Sequence, residues 1–176
     1  IRITIANRGP DTATLDVLPT VWFRNTWAWG LDERQPHLDV SDRMANASVI
    51  RVRHFDLPAY RLLCEGTPEL LFTENESNAQ RLWGQPNPSP WVKDAFHRHV
   101  VGGEAGAVNP ARTGTKAAAR YVLDVPAGGA SVVKLRLSAR PPAEPFGAGF
   151  DAAFAARIAE ADEFYERITP RSLGED

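Results

Sequence analysis

"KAAARYVLDVPAGGASVVKLRL", Lys116–Leu137, carries the period that decides the fold. Ala117, Ala119, Tyr121, Leu123 and Val125 alternate with Ala118, Arg120, Val122 and Asp124. After "PAGG", Val133, Leu135 and Leu137 alternate with Lys134 and Arg136. A period of two is the signature of a strand with one face turned to a core, because successive side chains point to opposite sides. The Pro-Ala-Gly-Gly break between the runs predicts a hairpin turn.

Working outward, the same period recurs. "IRITI" places Ile1, Ile3 and Ile5 on one face, and "ATLDV" places Ala13, Leu15 and Val17 on one face. The intervening "NRGPD" holds residues suited to a turn, so a second hairpin is expected there. Pro19 interrupts the run and predicts an edge or a bulge. "ASVIRVRHF", "AYRLLCEG" and "PELLFTENE" supply further strands, although Val49 falls off the alternation of Ile50, Val52 and His54. Residues 31–46 are polar without a clean period and read as a surface loop. "GQPNPSPWV" is too rich in proline for a regular element, and "VKDAFHRHVV" reads as a short helix or a strand.

Beyond the proline-rich "ARPPAEPFG" the period changes. Phe150, Phe154, Ile158, Ala161, Phe164 or Tyr165, and Ile168 recur at helical spacing until Pro170. Short strands with turn signals followed by one long helix give a mainly β fold: an antiparallel β-sandwich over residues 1–140, then a connector and helix over 141–176. A chain of 176 residues suits one well-cored domain. The first strand begins at residue 1 and "SLGED" follows the helix without closing on anything, so the chain reads as a segment of a longer protein.

Composition excludes some functions. A net charge of −2 argues against a nucleic-acid-binding surface, and no apolar run approaches the roughly 20 residues of a membrane helix. The single cysteine, Cys64, permits no internal disulfide and reads as a small buried hydrophobe. It sets no compartment; the cytoplasm is favoured. No cofactor or metal is expected. His97 and His99 in "HRH" would face one way on a strand but diverge on a helix. Lys116 in "RTGTKAAA" lacks the glycine spacing of a phosphate loop.

Two polar-aromatic stretches remain. "VWFRNTWAWG", residues 21–30, sets tryptophans beside Arg24 and Asn25. Alternation puts Val21 and Phe23 inside and Trp22 and Arg24 outside, with Trp27 and Trp29 forming an exposed edge beyond the strand. "FTENESNAQRLWG", residues 72–84, holds Glu74, Asn75, Glu76, Asn78, Arg81 and Trp83. Glu74 and Glu76 are weighed as an acid/base pair, since glycoside hydrolysis needs two carboxyls about 5 to 9.5 Å apart. Such pairs normally come from different elements and flank the substrate, so a polar loop capping its own backbone is the preferred reading.

In order along the chain, "RITIANRGP", "LPTVWFRNTWAWG", "PELLFTENESNAQRLWG", "SPWVKDAFHRHVV", "VNPARTGTKAAARYVLDVPAGG" and "FDAAFAARIAEADEFYERI" resemble one family. They are similar to the N-terminal region of bacterial proteins related to glycoside hydrolase family 63, which includes mannosyl-oligosaccharide glucosidases. The resemblance implies a supersandwich-like domain preceding an (α/α)6 barrel that holds the catalytic carboxylates of an inverting mechanism. No catalytic residue is carried onto this chain. The partners implied are that barrel, in the same chain, and the oligosaccharide or glycoside it cleaves. Arg24, Asn25, Trp27, Trp29, Glu74, Asn75, Glu76, Asn78, Arg81, Trp83 and Lys93 are the candidates for loops that dock on the barrel or line its sugar rim. The alternative is a carbohydrate-binding module that stacks sugar on Trp22, Trp27, Trp29, Trp83 and Trp91.

Overall fold

A computed structural model describes residues 1–170. The expected final segment "SLGED" lies outside the described residues. Ten strands run in chain order as β1 (Arg2–Ala6), β2 (Ala13–Val17), β3 (Thr20–Trp22), β4 (His37–Met44), β5 (Ala47–Arg53), β6 (Tyr60–Glu65), β7 (Glu69–Thr73), β8 (Thr113–Gly114), β9 (Lys116–Val125) and β10 (Ala130–Ser138). Helices are α1 (Ala79–Trp83), α2 (Ala95–Val100) and α3 (Ala148–Ile168). One sheet has the order β1-β10-β6-β5-β4-β8. In the other, β9 is central, with β7 on one edge and β2 followed by β3 on the other. All pairings are antiparallel, and the fold is the mainly β sandwich expected.

Alternation explains the layering. Leu38, Ile50, Val52, Leu62, Cys64, Val133 and Leu135 of the larger sheet meet Leu70, Phe72, Ala117 and Ala119 of the smaller one in a single buried core. Val49 leaves this pattern because β5 is covered on both faces: Ala47, Val49 and Leu63 pack outward against Phe146 and Phe150. The smaller sheet is likewise capped, with Leu71 and Ala118 against Phe96 of α2. Burying apolar side chains on both faces of a strand abolishes the period of two that sequence reading depends on.

Both expected hairpins are corrected. β1 pairs with β10, and β2 pairs with β9, so neither "NRGPD" nor "PAGG" joins paired neighbours. Each turn instead carries the chain from one sheet to the other, and the two turns lie side by side. Asn7 joins them: its backbone N–H donates to Gly129 O at 2.9 Å, and its Nδ2 donates to Val125 O at 2.9 Å and Asp11 O at 2.8 Å. The reading of residues 31–46 as a loop is also corrected, since His37–Met44 is β4. Its inward residues are only Leu38 and Val40, while Asp39 bonds Arg51 and Arg53 across the neighbouring strand. Those polar cross-strand partners hide the strand from a hydrophobic pattern.

Pro19 sits at the break between β2 and β3 on the sheet edge, where its carbonyl still accepts from Ala119 N at 3.0 Å. Leu137, expected on the inner face, is exposed at the end of β10. Lys134 and Arg136 do point outward, over the ring of Phe150. In α3 Phe150 is buried and Phe154 lies beneath the Arg2 guanidinium, 4.2 Å from the ring centroid. The rest of its apolar stripe, Ile158, Phe164, Tyr165 and Ile168, is exposed. Among the described residues, no helix is long and apolar enough to cross a membrane.

Candidate functional site

The polar residues around Asn75 are gathered where the smaller sheet ends. Thr73 closes β7, its Oγ1 donating to Val92 O at 2.9 Å and its carbonyl accepting from Thr115 N at 3.1 Å. The chain continues beside residues 91–93: Glu74 N donates to Trp91 O and Lys93 N donates to Glu76 O, at 3.1 and 2.9 Å. The proline-rich approach to Trp91 is irregular, yet its end aligns with the Glu74–Glu76 segment as a strand would.

Side chains fasten the junction. Thr115 Oγ1 accepts from Asn75 N at 2.8 Å and donates to Glu74 Oε2 at 2.7 Å. Asn75 Nδ2 donates to Phe23 O at 2.9 Å, and Asn75 O accepts from Asn25 Nδ2 at 2.8 Å. Asn25 Oδ1 in turn accepts from Ala28 N, and Trp27 Nε1 donates to Glu76 Oε1, both at 2.9 Å. Asn75 and Thr115 are buried, so these bonds replace water that the amide and hydroxyl have lost.

The weighed acid/base pair therefore has other work. Glu74 is bound to Thr115 and Glu76 to Trp27, each within the chain's own frame. Trp27 is corrected too: it is half-buried against Glu76, not part of an open edge. Val21 and Phe23 pack against the core and Trp22 is exposed, as alternation requires, and Trp29 is exposed beyond the strand as expected.

Trp22, Arg24, Asn25, Trp29, Asn75, Lys93 and Lys116 line an open cleft of about 440 Å³. Register places Lys116 of β9 opposite both Trp22 of β3 and Thr73 of β7. Its Nζ donates to Lys93 O at 2.9 Å and lies over the Phe96 ring. Burial lowers the pKa of Lys116, helped by the charge of Lys93 and opposed by Asp94. The Arg24 guanidinium stands over Trp29, 5.4 Å from the ring centroid. The cleft thus combines exposed indoles with three cationic side chains.

The remaining candidates form a second group. Asn78 caps α1, its Oδ1 accepting from Arg81 N at 3.0 Å, while its Nδ2 reaches Asp94 Oδ2 at 3.1 Å. Arg81 also meets Asp94, at 3.4 Å. Asn78 and Arg81 border a separate polar cleft with Gln80, Asn87, Ser89 and Arg98. Trp83 is exposed at the end of α1. Helical α2 separates the histidines: His97 is exposed, and His99 turns to Glu69, with Nε2 3.3 Å from Oε1.

Sequence reading set Lys116 aside as a failed phosphate loop and missed Thr115. Thr115 immediately precedes an alanine-rich strand and carries no motif, and Lys116 joins the cleft only through the register of β9 with β3. Pairing partners, not local composition, reveal both.

No family model and no solved structure matches the chain. It is similar to Uncharacterized protein YMR196W of Saccharomyces cerevisiae, at 33% identity over 209 aligned residues. The match covers 99% of this chain but 19% of that protein, so the chain spans less than a fifth of its relative's length.

Proposed function

We propose that this chain is the non-catalytic N-terminal β-sandwich of an α-glucosidase-like glycoside hydrolase, resembling family 63, and that it supports an (α/α)6 barrel and shapes its substrate entrance. One observation carries the reading: the two neighbouring carboxylates are used to hold the Glu74–Glu76 segment in place, while indoles and cations are left facing outward around it. A rim needs fixed loops and exposed hydrogen-bonding and stacking groups; a glycosidase centre needs two carboxyls flanking a sugar bond. The exposed stripe of α3 adds an apolar surface suited to a neighbouring domain. The yeast relative is more than five times the length it shares with this chain, which leaves room for a further domain in that protein. Residues 141–176 would connect the two parts, with Phe146 and Phe150 anchoring the connector on the sandwich.

The test compares the 176-residue chain with a longer protein that continues past Asp176, on a panel of aryl α-glycosides, following product anomers by NMR. Turnover with inversion by the longer protein alone is expected. Turnover by the short chain, or none by a folded longer protein, overturns the reading. The exposure of Trp22, Trp29 and Trp83 favours a second reading, a carbohydrate-binding module. Saturable quenching of tryptophan fluorescence by neutral glucosides or mannosides would favour the module.

A further inference from the structure

The cleft between β3, β9 and the loop at Lys93 has a charge balance that a neutral sugar does not require. Arg24, Lys93 and Lys116 line it, and no carboxylate does. Among the described residues, none of the three is in an ion pair. Glu74 and Glu76, which flank the lining residue Asn75, bond Thr115 and Trp27, and the charge of Asp94 acts on Lys116 from outside the lining. The cationic lining stands out in a chain whose acidic residues outnumber its basic ones, 22 to 20.

Two of the cations are also held in place. Lys116 is fixed by Lys93 O and the Phe96 ring, leaving two ammonium protons uncommitted. Arg24 is spread over Trp29, which orients the guanidinium while keeping its N–H groups available. Beside them Trp22 and Trp29 are 55% and 62% exposed, a large apolar area for isolated surface residues. Exposed indoles offer flat faces for the C–H side of a pyranose ring, and the cations offer charge-assisted hydrogen bonds to an anion.

We propose that this cleft binds an acidic saccharide, a pyranose bearing a carboxylate or phosphate group, with the anion held by Arg24, Lys93 and Lys116 and the ring stacked on Trp22 or Trp29. The saccharide part rests on the glycosidase reading; the anionic part rests on the cleft itself. A pyranose with one acidic substituent fits a cleft of about 440 Å³ that is open at one side. Because Arg24 and Lys93 are exposed, binding weakens as salt rises.

The experiment titrates the chain with D-glucuronate, glucose 6-phosphate, glucose, inorganic phosphate and AMP, reading tryptophan fluorescence and calorimetry at low salt. Saturable binding of glucuronate or glucose 6-phosphate is expected, at least about tenfold tighter than glucose or inorganic phosphate. Which acidic sugar binds identifies the anionic group. Arg24→Gln and Lys93→Gln should each weaken it about tenfold, with Arg140→Gln as an unchanged control. The two test variants alter exposed side chains that make no hydrogen bond within the described chain, so folding is preserved. Binding of glucose as tight as the acidic sugars removes the role of charge and overturns the proposal. So does inorganic phosphate binding as tightly, AMP binding in place of the sugars, or no binding. Failure here leaves turnover by the longer protein as a separate result, so the two readings fall independently.

Discussion

The indole N–H of Trp27 donates to Oε1 of Glu76 at 2.9 Å, joining the end of the tryptophan-rich stretch to the loop that follows β7. The two residues are 49 positions apart, so the bond closes a long excursion through β4, β5, β6 and β7. Trp27→Phe keeps the bulk of an aromatic ring and removes the donor. The expected loss is about 1 kcal/mol, near the middle of the range for a partly exposed hydrogen bond. Urea unfolding checks it through a lower midpoint at unchanged slope. Glu76→Gln, which keeps an accepting oxygen, should cost less.

Gly114 permits the close passage of two backbones. A Cβ at this position would lie 2.3 Å from Thr73 O and 2.9 Å from Thr73 C, both backbone atoms with little freedom to retreat. Separating them stretches the Thr115 N to Thr73 O bond and moves Thr115 within the polar junction. Gly114→Ala should therefore cost about 3 kcal/mol, at the upper end for overpacking. Gly106→Ala is the comparison, because a Cβ there meets nothing within 4 Å. Its stability should stay within about 0.5 kcal/mol of the parent.

Strands with one polar face were legible in the sequence; their partners were not. The alternation is clear over Tyr121–Val125 of β9 and Val132–Arg136 of β10, where burial itself alternates, and it shows that both are strands without saying what they pair with. Turn chemistry then suggested neighbours, but Asn7 binds Val125, Asp11 and Gly129 and so ties together two turns that cross between sheets. β4 was illegible because Asp39 balances Arg51 and Arg53 on its outer face, giving it a loop-like composition. At the site, Arg24, Asn25, Trp29, Asn75 and Lys93 could be found from polar-aromatic motifs. Lys116 could not, since only the pairing of Trp22 with Lys116 brings it there.

Cys64 lies on β6 within the core, and burial pushes its thiol from the ordinary 9.0 up to about 12. The native state therefore keeps a proton that the unfolded chain gives up from about pH 9. Between those values the unfolded state binds fewer protons, so stability is fully present below 9.0 and falls as pH rises toward 12. The slope expected from this group approaches about 1.4 kcal/mol per pH unit. Tyr121 acts in the same direction, its hydroxyl raised chiefly by burial and then by the charges of Cys64 and Glu65. Unfolding free energies measured from pH 8.5 to 11 check the fall. Cys64→Ala should reduce the slope even though it lowers stability throughout. A thiol reagent should label the native wild-type protein only as fast as it opens.

Thr115 is the residue on which the polar junction depends most. Its hydroxyl accepts from Asn75 N and donates to Glu74 Oε2, and it is buried. Thr115→Val preserves shape and removes both bonds, leaving the Asn75 amide buried without that partner. An orphaned buried donor costs more than an exposed lost bond, so about 2 kcal/mol is expected. Thr115→Ser retains the hydroxyl and should recover most of it. Because Asn75 also holds Phe23 O and Asn25, loosening it should free Trp27 from Glu76 and shift indole emission toward the red. Loss of stability without that emission change would mean that the Glu74–Glu76 segment is held by Trp91 and Lys93 alone. Loss of both places Thr115 as the support beneath the cleft, reaching Trp27 through Asn75 and Asn25.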